Sequence, residues 1–201
     1  MVYKFCQFID SIMDTDYADY NLDLVALGMI ADMMDMRDFE TKHLINRGLE
    51  FIQNPFFKSM VEKNAYSIKE VTPIGIAFYV APYVNATIRV GTPEEKRLMF
   101  ESMLEYKAYT QVDSTKRGCK GQKELLVEQA VRNCTNIKNR QTKARDTSIA
   151  VIESLIRDTS LLENKILIVP VPASVGIEKN LTGLIANQLM SKYQRPVLLL
   201  N

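Results

Sequence analysis

Leu22 to Met36, LDLVALGMIADMMDM, is apolar at nearly every helical position until Asp32 interrupts it. A helix that is hydrophobic all round is a buried one. The run therefore predicts a helix inside a core, offering one carboxylate at its end. Further along, VAPYVNATIRVG (Val80 to Gly91) sets Asn85 and Arg89 four positions apart in what reads as a short loop. A carboxylate presented from a buried element is a candidate ligand for a hard divalent cation. A guanidinium beside an amide is a candidate phosphate clamp. Together they point to metal-assisted phosphodiester chemistry.

Around these two stretches the pattern is mostly helical. Val2, Phe5, Cys6, Ile9, Ile12 and Met13 recur at helical spacing over residues 2–13, and residues 14–21 read as a polar break. Asp38, or Thr41 in its place, caps a helix running to about Gln53; a shorter helix covers Pro55 to Lys63. Residues 72–84 read as an extended segment or a short helix. Thr92, Pro93, Glu94 and Glu95 combine a capping hydroxyl, a first-position proline and first-turn acids, and predict a helix to about Tyr109. Ser114 to Gly121, polar and with two glycines, reads as a linker. Gln122 to Arg157 holds neither Pro nor Gly and predicts one long, largely exposed helix, with a break near residues 133–139 as the alternative. The pattern then changes: KILIVPV (Lys165 to Val171) reads as a buried strand, Leu181 to Tyr193 as a helix and PVLLL (Pro196 to Leu200) as a second buried strand. That is a βαβ unit of a parallel sheet. One such unit cannot cover its own sheet, so the chain is expected to stop inside a domain.

Among 201 residues, 47% are apolar and 24% charged, as in ordinary globular chains, and no apolar run spans a bilayer. No signal-peptide pattern opens the chain, and Cys6, Cys119 and Cys134 are odd in number and far apart. A disulfide framework is not expected, and a cytoplasmic location is. The net charge of +1 hides an asymmetry. Residues 1–40 hold nine acids against two bases, and residues 116–145 hold nine bases against two acids. An acidic end suits cations and a basic middle suits a polyanion; the plain alternative is two solvated faces. Within the basic stretch, Lys138, Arg140, Lys143 and Arg145 are the candidate nucleic-acid contacts. Asp23 and Asp35 read as surface acids, Asp35 with support of a metal ligand as its alternative, and His43 as a surface or hydrogen-bonded histidine rather than a ligand. Met29, Met33, Met34 and Met36 read as flexible core filling rather than a soft-metal site.

LDLVALGMIADMM resembles the fourth motif of the DHH phosphoesterases, specifically the RecJ-type single-strand exonucleases. APYVNATIRVG resembles their fifth motif, an Asn-Ala-Ala-Gly-Arg loop. Asn139, Arg140 and Gln141 are similar to the long connector those enzymes place between two domains. GLIANQLMSKYQRPVLLL (Gly183 to Leu200) looks like the opening of their DHH-associated second domain. The four segments occur in the family's order and cover nearly the whole chain. The resemblance implies a helix-rich α/β chain in three parts. Residues 1–113 would close a DHH domain, 114–163 would form linker and connector helix, and 164–201 would begin the second domain.

It further implies that Asp32 helps hold Mn2+ or Mg2+ as a catalytic carboxylate, and that Asn85 and Arg89 bind or shape a nucleic-acid phosphate site. The substrate implied is single-stranded DNA, and the setting repair, recombination or replication, with single-strand-binding or replication proteins as partners and no membrane. Two departures stand out: Ile88 replaces the motif's glycine and Thr87 one of its alanines, which weakens the case for a close backbone approach there. The family's Asp-x-Asp, second-motif Asp and Asp-His-His groups would precede Met1, and its Gly-Gly-His group would follow Asn201. Two-metal hydrolysis needs several carboxylates and histidines, and this chain supplies one. The 201 residues alone are therefore expected to be inactive. Two other readings stay open: a DHH phosphoesterase of oligonucleotides or cyclic dinucleotides, and a non-catalytic binding or scaffold relative.

Overall fold

The computed structural model describes residues 1–200, in two compact units, Met1–Ile137 and Lys138 onward. The first is built of α1 (Val2–Met13), α2 (Tyr17–Tyr20), α3 (Leu22–Ala31), α4 (Phe39–Glu50), α5 (Pro55–Lys63), α6 (Pro73–Tyr79), α7 (Ala81–Val90), α8 (Pro93–Glu101) and α9 (Glu105–Ala108). A hairpin of β1 (Gln111–Asp113) and β2 (Lys123–Leu125) follows, then α10 (Leu126–Arg157), which continues into the second unit. In the second unit, β3 (Leu167–Pro170) and β4 (Val197–Leu200) pair in parallel around α11 (Thr182–Tyr193), the expected βαβ unit. The fold is helix-rich, and among the described residues no helix is long and apolar enough to cross a membrane.

Helix starts follow local chemistry. The Asp38 carboxylate accepts from the Thr41 N–H, Asn54 caps α5 ahead of Pro55, and Thr72 caps α6 ahead of Pro73. Thr92 and Glu95 form a reciprocal capping box at α8. Phe56, Phe57 and Met60 of α5, Ile45, Ile76 and Met99, and the first turns of α10 up to Cys134 fill the core of the first unit. Gly48 lets α4 approach α3 closely. A Cβ there would lie 2.2 Å from the Leu22 carbonyl oxygen.

Asp23 is not a surface acid. It is buried at 2% exposure, and its carboxylate accepts from the N–H groups of Asn54 (2.7 Å), Leu24 (2.8 Å) and Gln53 (3.0 Å). Asn54 in turn donates to the Met103 carbonyl at 2.9 Å while accepting from the Phe56 and Phe57 N–H groups. One buried carboxylate thus fixes the corner between α4 and α5 and, through Asn54, the turn after α8.

Several expectations need correction. The Leu22–Met36 helix ends at Ala31. Met33 turns left-handed (φ 53°) and the Met34 N–H reaches back to the Met29 carbonyl, which closes the helix. Met33, Met34 and Met36 are exposed rather than core filling. The helix from Pro93 stops at Glu101, and the polar stretch after Asp113 is the turn of a hairpin rather than a free linker. The long helix begins after a strand, runs unbroken through residues 133–139, and is amphipathic rather than largely exposed: Val127, Val131, Cys134, Ile137, Ile149, Ile152 and Ile156 are buried. Strand β3 alternates buried and exposed positions instead of being covered on both faces.

Beneath the hairpin lies a second buried carboxylate. Glu124 accepts two bonds from Arg132 (2.6 and 2.7 Å), one from Gln129 (2.9 Å) and one from the Thr115 N–H (3.2 Å). The Arg132 guanidinium holds its carboxyl far below the usual glutamate range.

Asp23→Ala is expected to cost about 2–4 kcal/mol in urea unfolding, because it orphans the Gln53 and Asn54 N–H groups. A loss below about 0.5 kcal/mol, within the range of ordinary surface substitutions, would show that the clasp contributes little. Glu124 has a depressed pKa in the folded state, so its contribution is complete above the ordinary value of 4.5 and is lost as the pH falls below it. Unfolding measured between neutral and acidic pH should show that decline in the native chain and a shallower one in Glu124→Gln.

Candidate functional site

The segment expected as a loop, Asn85 to Gly91, is helical to Val90. The helix explains how Thr87 and Ile88 are accommodated. The Thr87 hydroxyl, fully buried, donates to the Tyr83 carbonyl one turn back at 2.9 Å, and Ile88 points outward at 44% exposure. Gly91 is required by packing: a Cβ there would lie 2.4 Å from the Thr87 carbonyl oxygen.

Helix α7 packs against α3, and Asn85 makes the polar link between them. Its amide nitrogen donates to the Ala31 carbonyl at 3.4 Å, the long end of hydrogen-bond range. Ala31 is the last residue of α3, and Asp32 follows it as the C-cap. The amide of the second stretch is therefore joined to the residue next to the carboxylate of the first. Arg89 lies one turn beyond Asn85 on the same face of α7 and is exposed.

Asp32 is exposed, and it shares the lining of an apolar groove of about 930 Å3 with Val2, Phe5 and Ile9 of α1 and Leu24, Val25 and Met29 of α3. The neighbouring acids are engaged elsewhere. Asp35 receives the Arg37 guanidinium at 2.7–3.1 Å, and Asp38 caps α4; both carboxyls are held below their ordinary range by those bonds. Among the described residues no three His, Cys, Asp or Glu side chains gather where a metal ion could sit. Among the described residues the side chains do not make up a two-metal centre, and Asp32 stands as a single carboxylate. His43 is exposed on α4.

The four bases of α10 do not share a face. At 100° per residue, Lys138 and Arg145 fall on the side that carries Cys134, Ile137 and Ile149, and both are half-buried. Lys138 donates to Gln141 at 3.1 Å, and Arg145 pairs with Asp146 at 2.7 Å. Arg140 and Lys143 fall on the opposite side and are exposed. Sequence reasoning grouped these residues by composition; the helical phase divides them. It also missed the Glu124–Arg132 pair, whose partners face each other only because a strand precedes α10.

No family model matches the chain. It is 40% identical over 202 aligned positions to a protein of Bacillus subtilis (strain 168) that bears the name of a prophage-derived single-strand DNA-specific exonuclease, YorK. It matches equally a protein of Bacillus phage SPbeta with the corresponding name. The alignments take in 99% of this chain, which spans 34% of the length of those relatives. Among solved structures, exonuclease RecJ bound to manganese superposes over 95% of this chain and 43% of its own, with TM-score 0.68 at 18% identity. RecJ of Thermus thermophilus in complex with Mn2+ superposes over 94% of this chain and 25% of its own, with TM-score 0.69 at 16% identity. The fold is that of the matching portion of RecJ, and the sequence relatives bear the name of a single-strand DNA-specific exonuclease, in keeping with the expected resemblance.

Proposed function

We propose that these residues are the central segment of a RecJ-type, divalent-metal-dependent exonuclease that hydrolyses the phosphodiester bonds of single-stranded DNA. The observation that carries the reading is the bond from Asn85 to the Ala31 carbonyl, which ties α7 to the residue beside Asp32. It supports one site with two duties. Asp32 offers a carboxylate oxygen to Mn2+ or Mg2+, whose other ligands come from beyond these residues. Asn85 and Arg89 hold a phosphate of the strand by amide and guanidinium hydrogen bonds. The ion, when bound, would supply the Lewis acidity that polarises the scissile phosphate.

Along α10, Arg140 and Lys143 on the outward face are the favoured strand contacts. Lys138 and Arg145 join them at most from the flank. In the three-part arrangement, residues 1–113 close a DHH domain, 114–163 connect, and 164–201 open the associated domain. The proposal places the protein in the cytoplasm, working in repair, recombination or replication beside single-strand-binding or replication proteins.

The 201 residues alone should show no Mn2+- or Mg2+-dependent degradation of single-stranded DNA; degradation that Asp32→Ala abolishes would overturn that. In a longer form that does degrade the strand, Asp32→Ala should slow the reaction about 100-fold or more with DNA affinity retained. Arg89→Gln should instead weaken binding. Unchanged rates in Asp32→Ala would favour a non-catalytic role for this site.

A further inference from the structure

The hairpin between β1 and β2 carries a charge pattern that the proposed site does not use. Its turn, residues 114–122, is an ordered piece of chain. The Ser114 N–H donates to the Gln122 carbonyl (2.9 Å), Gln122 to Cys119 (3.0 Å) and Cys119 to Lys116 (3.1 Å), with Gly118 and Gly121 at φ 84° and 82°. The turn is braced from below. Glu124 accepts the Thr115 N–H, the Thr115 hydroxyl receives Arg132, and Gln129 bonds both Glu124 and the Asp113 carbonyl. Two of the hairpin's four bases are spent on acids: Lys116 on Glu124 at 3.4 Å and Lys123 on Asp113 at 2.6 Å. The other two, Arg117 and Lys120, are exposed at the tip, and no acid among the described residues pairs with either. At the hairpin's foot, Tyr106 and Tyr109 stand about one helical turn apart on α9 and its C-cap, 75% and 60% exposed.

A hydrogen-bonded loop that pairs half of its bases with its own acids and keeps two cations outward is suited to meet an anion. Exposed aromatic rings at the foot of a hairpin whose tip carries cations match the way sequence-tolerant single-strand binders work, with charges following the backbone and rings stacking on bases. We propose that the β1–β2 hairpin tip (Arg117, Lys120) and the α9 tyrosines (Tyr106, Tyr109) form an accessory single-stranded nucleic-acid contact, separate from the Asn85–Arg89 helix and from Arg140 and Lys143. An acidic protein would satisfy the two cations but would have no use for the rings. The inference rests on the single-strand reading given above, and deepens it.

The test is binding of fluorescent oligothymidylate to the 201-residue chain, followed by anisotropy across about 50–200 mM salt. Arg117→Gln with Lys120→Gln should make the log–log salt slope shallower by about 1.4, two single-strand phosphate contacts at about 0.7 each. Tyr106→Ala with Tyr109→Ala should weaken binding by about fivefold or more with the slope unchanged, since stacking releases no counterions. Lys42→Gln with Lys69→Gln, two exposed lysines on other parts of the unit, should leave the slope as it is. A normal slope in the Arg117/Lys120 variant alongside a reduced one in Arg140→Gln with Lys143→Gln would overturn the hairpin contact and leave the main reading standing. Full affinity in the tyrosine variant would overturn the stacking part. Wild-type chain that does not bind the oligonucleotide at low salt would remove the single-strand reading itself. An equal slope change in the Lys42/Lys69 control would reduce the tip to bulk charge and sink the proposal. Thermal melting of each variant separates loss of contact from loss of fold.

Discussion

A carboxylate can stay inside a protein only if its oxygens are filled with donors, and Asp23 meets that demand with three backbone N–H groups. The consequences reach across the first unit. The Gln53–Asn54 corner cannot shift without stranding a buried charge, so α4 must end and α5 must begin where they do. Asn54, locked by the same carboxylate, holds the Met103 carbonyl in the turn after α8. Asp32 sits at the far end of the helix whose first turn carries Asp23. The candidate ligand is therefore displayed from an element pinned at its root by one acid and tied near its tip, through the Ala31 carbonyl, by Asn85.

Where helices begin was legible because their caps are local. A side-chain oxygen at Asp38, Asn54, Thr72 or Thr92 satisfies a backbone N–H two or three residues on; Asp38 and Thr92 were read as caps from the sequence, whereas Thr72 begins a helix in a stretch that read equally well as extended. Where helices end was less legible, because those stops are tertiary. The turn through Ser102 to Leu104 that follows Glu101 is held by Asn54, forty-nine residues back in sequence, through the Met103 carbonyl. Met33 ends α3 in a left-handed conformation with no glycine to announce it. Asp23 looked like one more acid in an acidic segment, since two of its three N–H partners lie thirty and thirty-one positions away.

Of the candidate site, the meeting of its two stretches was anticipated from the sequence and the backbone of the second was not. Asn85 and Arg89 at a spacing of four suit a loop only if the intervening residues demand one. Thr87 and Ile88 are content in a helix, and the same spacing then puts both polar groups on one face. The basic stretch of α10 shows the opposite error, in which composition suggested a single track and helical phase splits it in two. Runs of like charge say what a segment prefers to meet, while only the backbone says which charges can meet it together.

Helix α1 is apolar on one side yet buries none of its residues. Its attachments are polar: Tyr3 donates to Asp19, Lys4 pairs with Glu40, and Asp10 receives the Thr15 hydroxyl and the Ala18 N–H. Such a helix can swing away without opening the core that Phe56, Phe57 and Met60 fill. Among the segments of the first unit it is the one a protease could nick, at the short turn through Asp14 and Asp16, while the remainder stayed folded and melted as before.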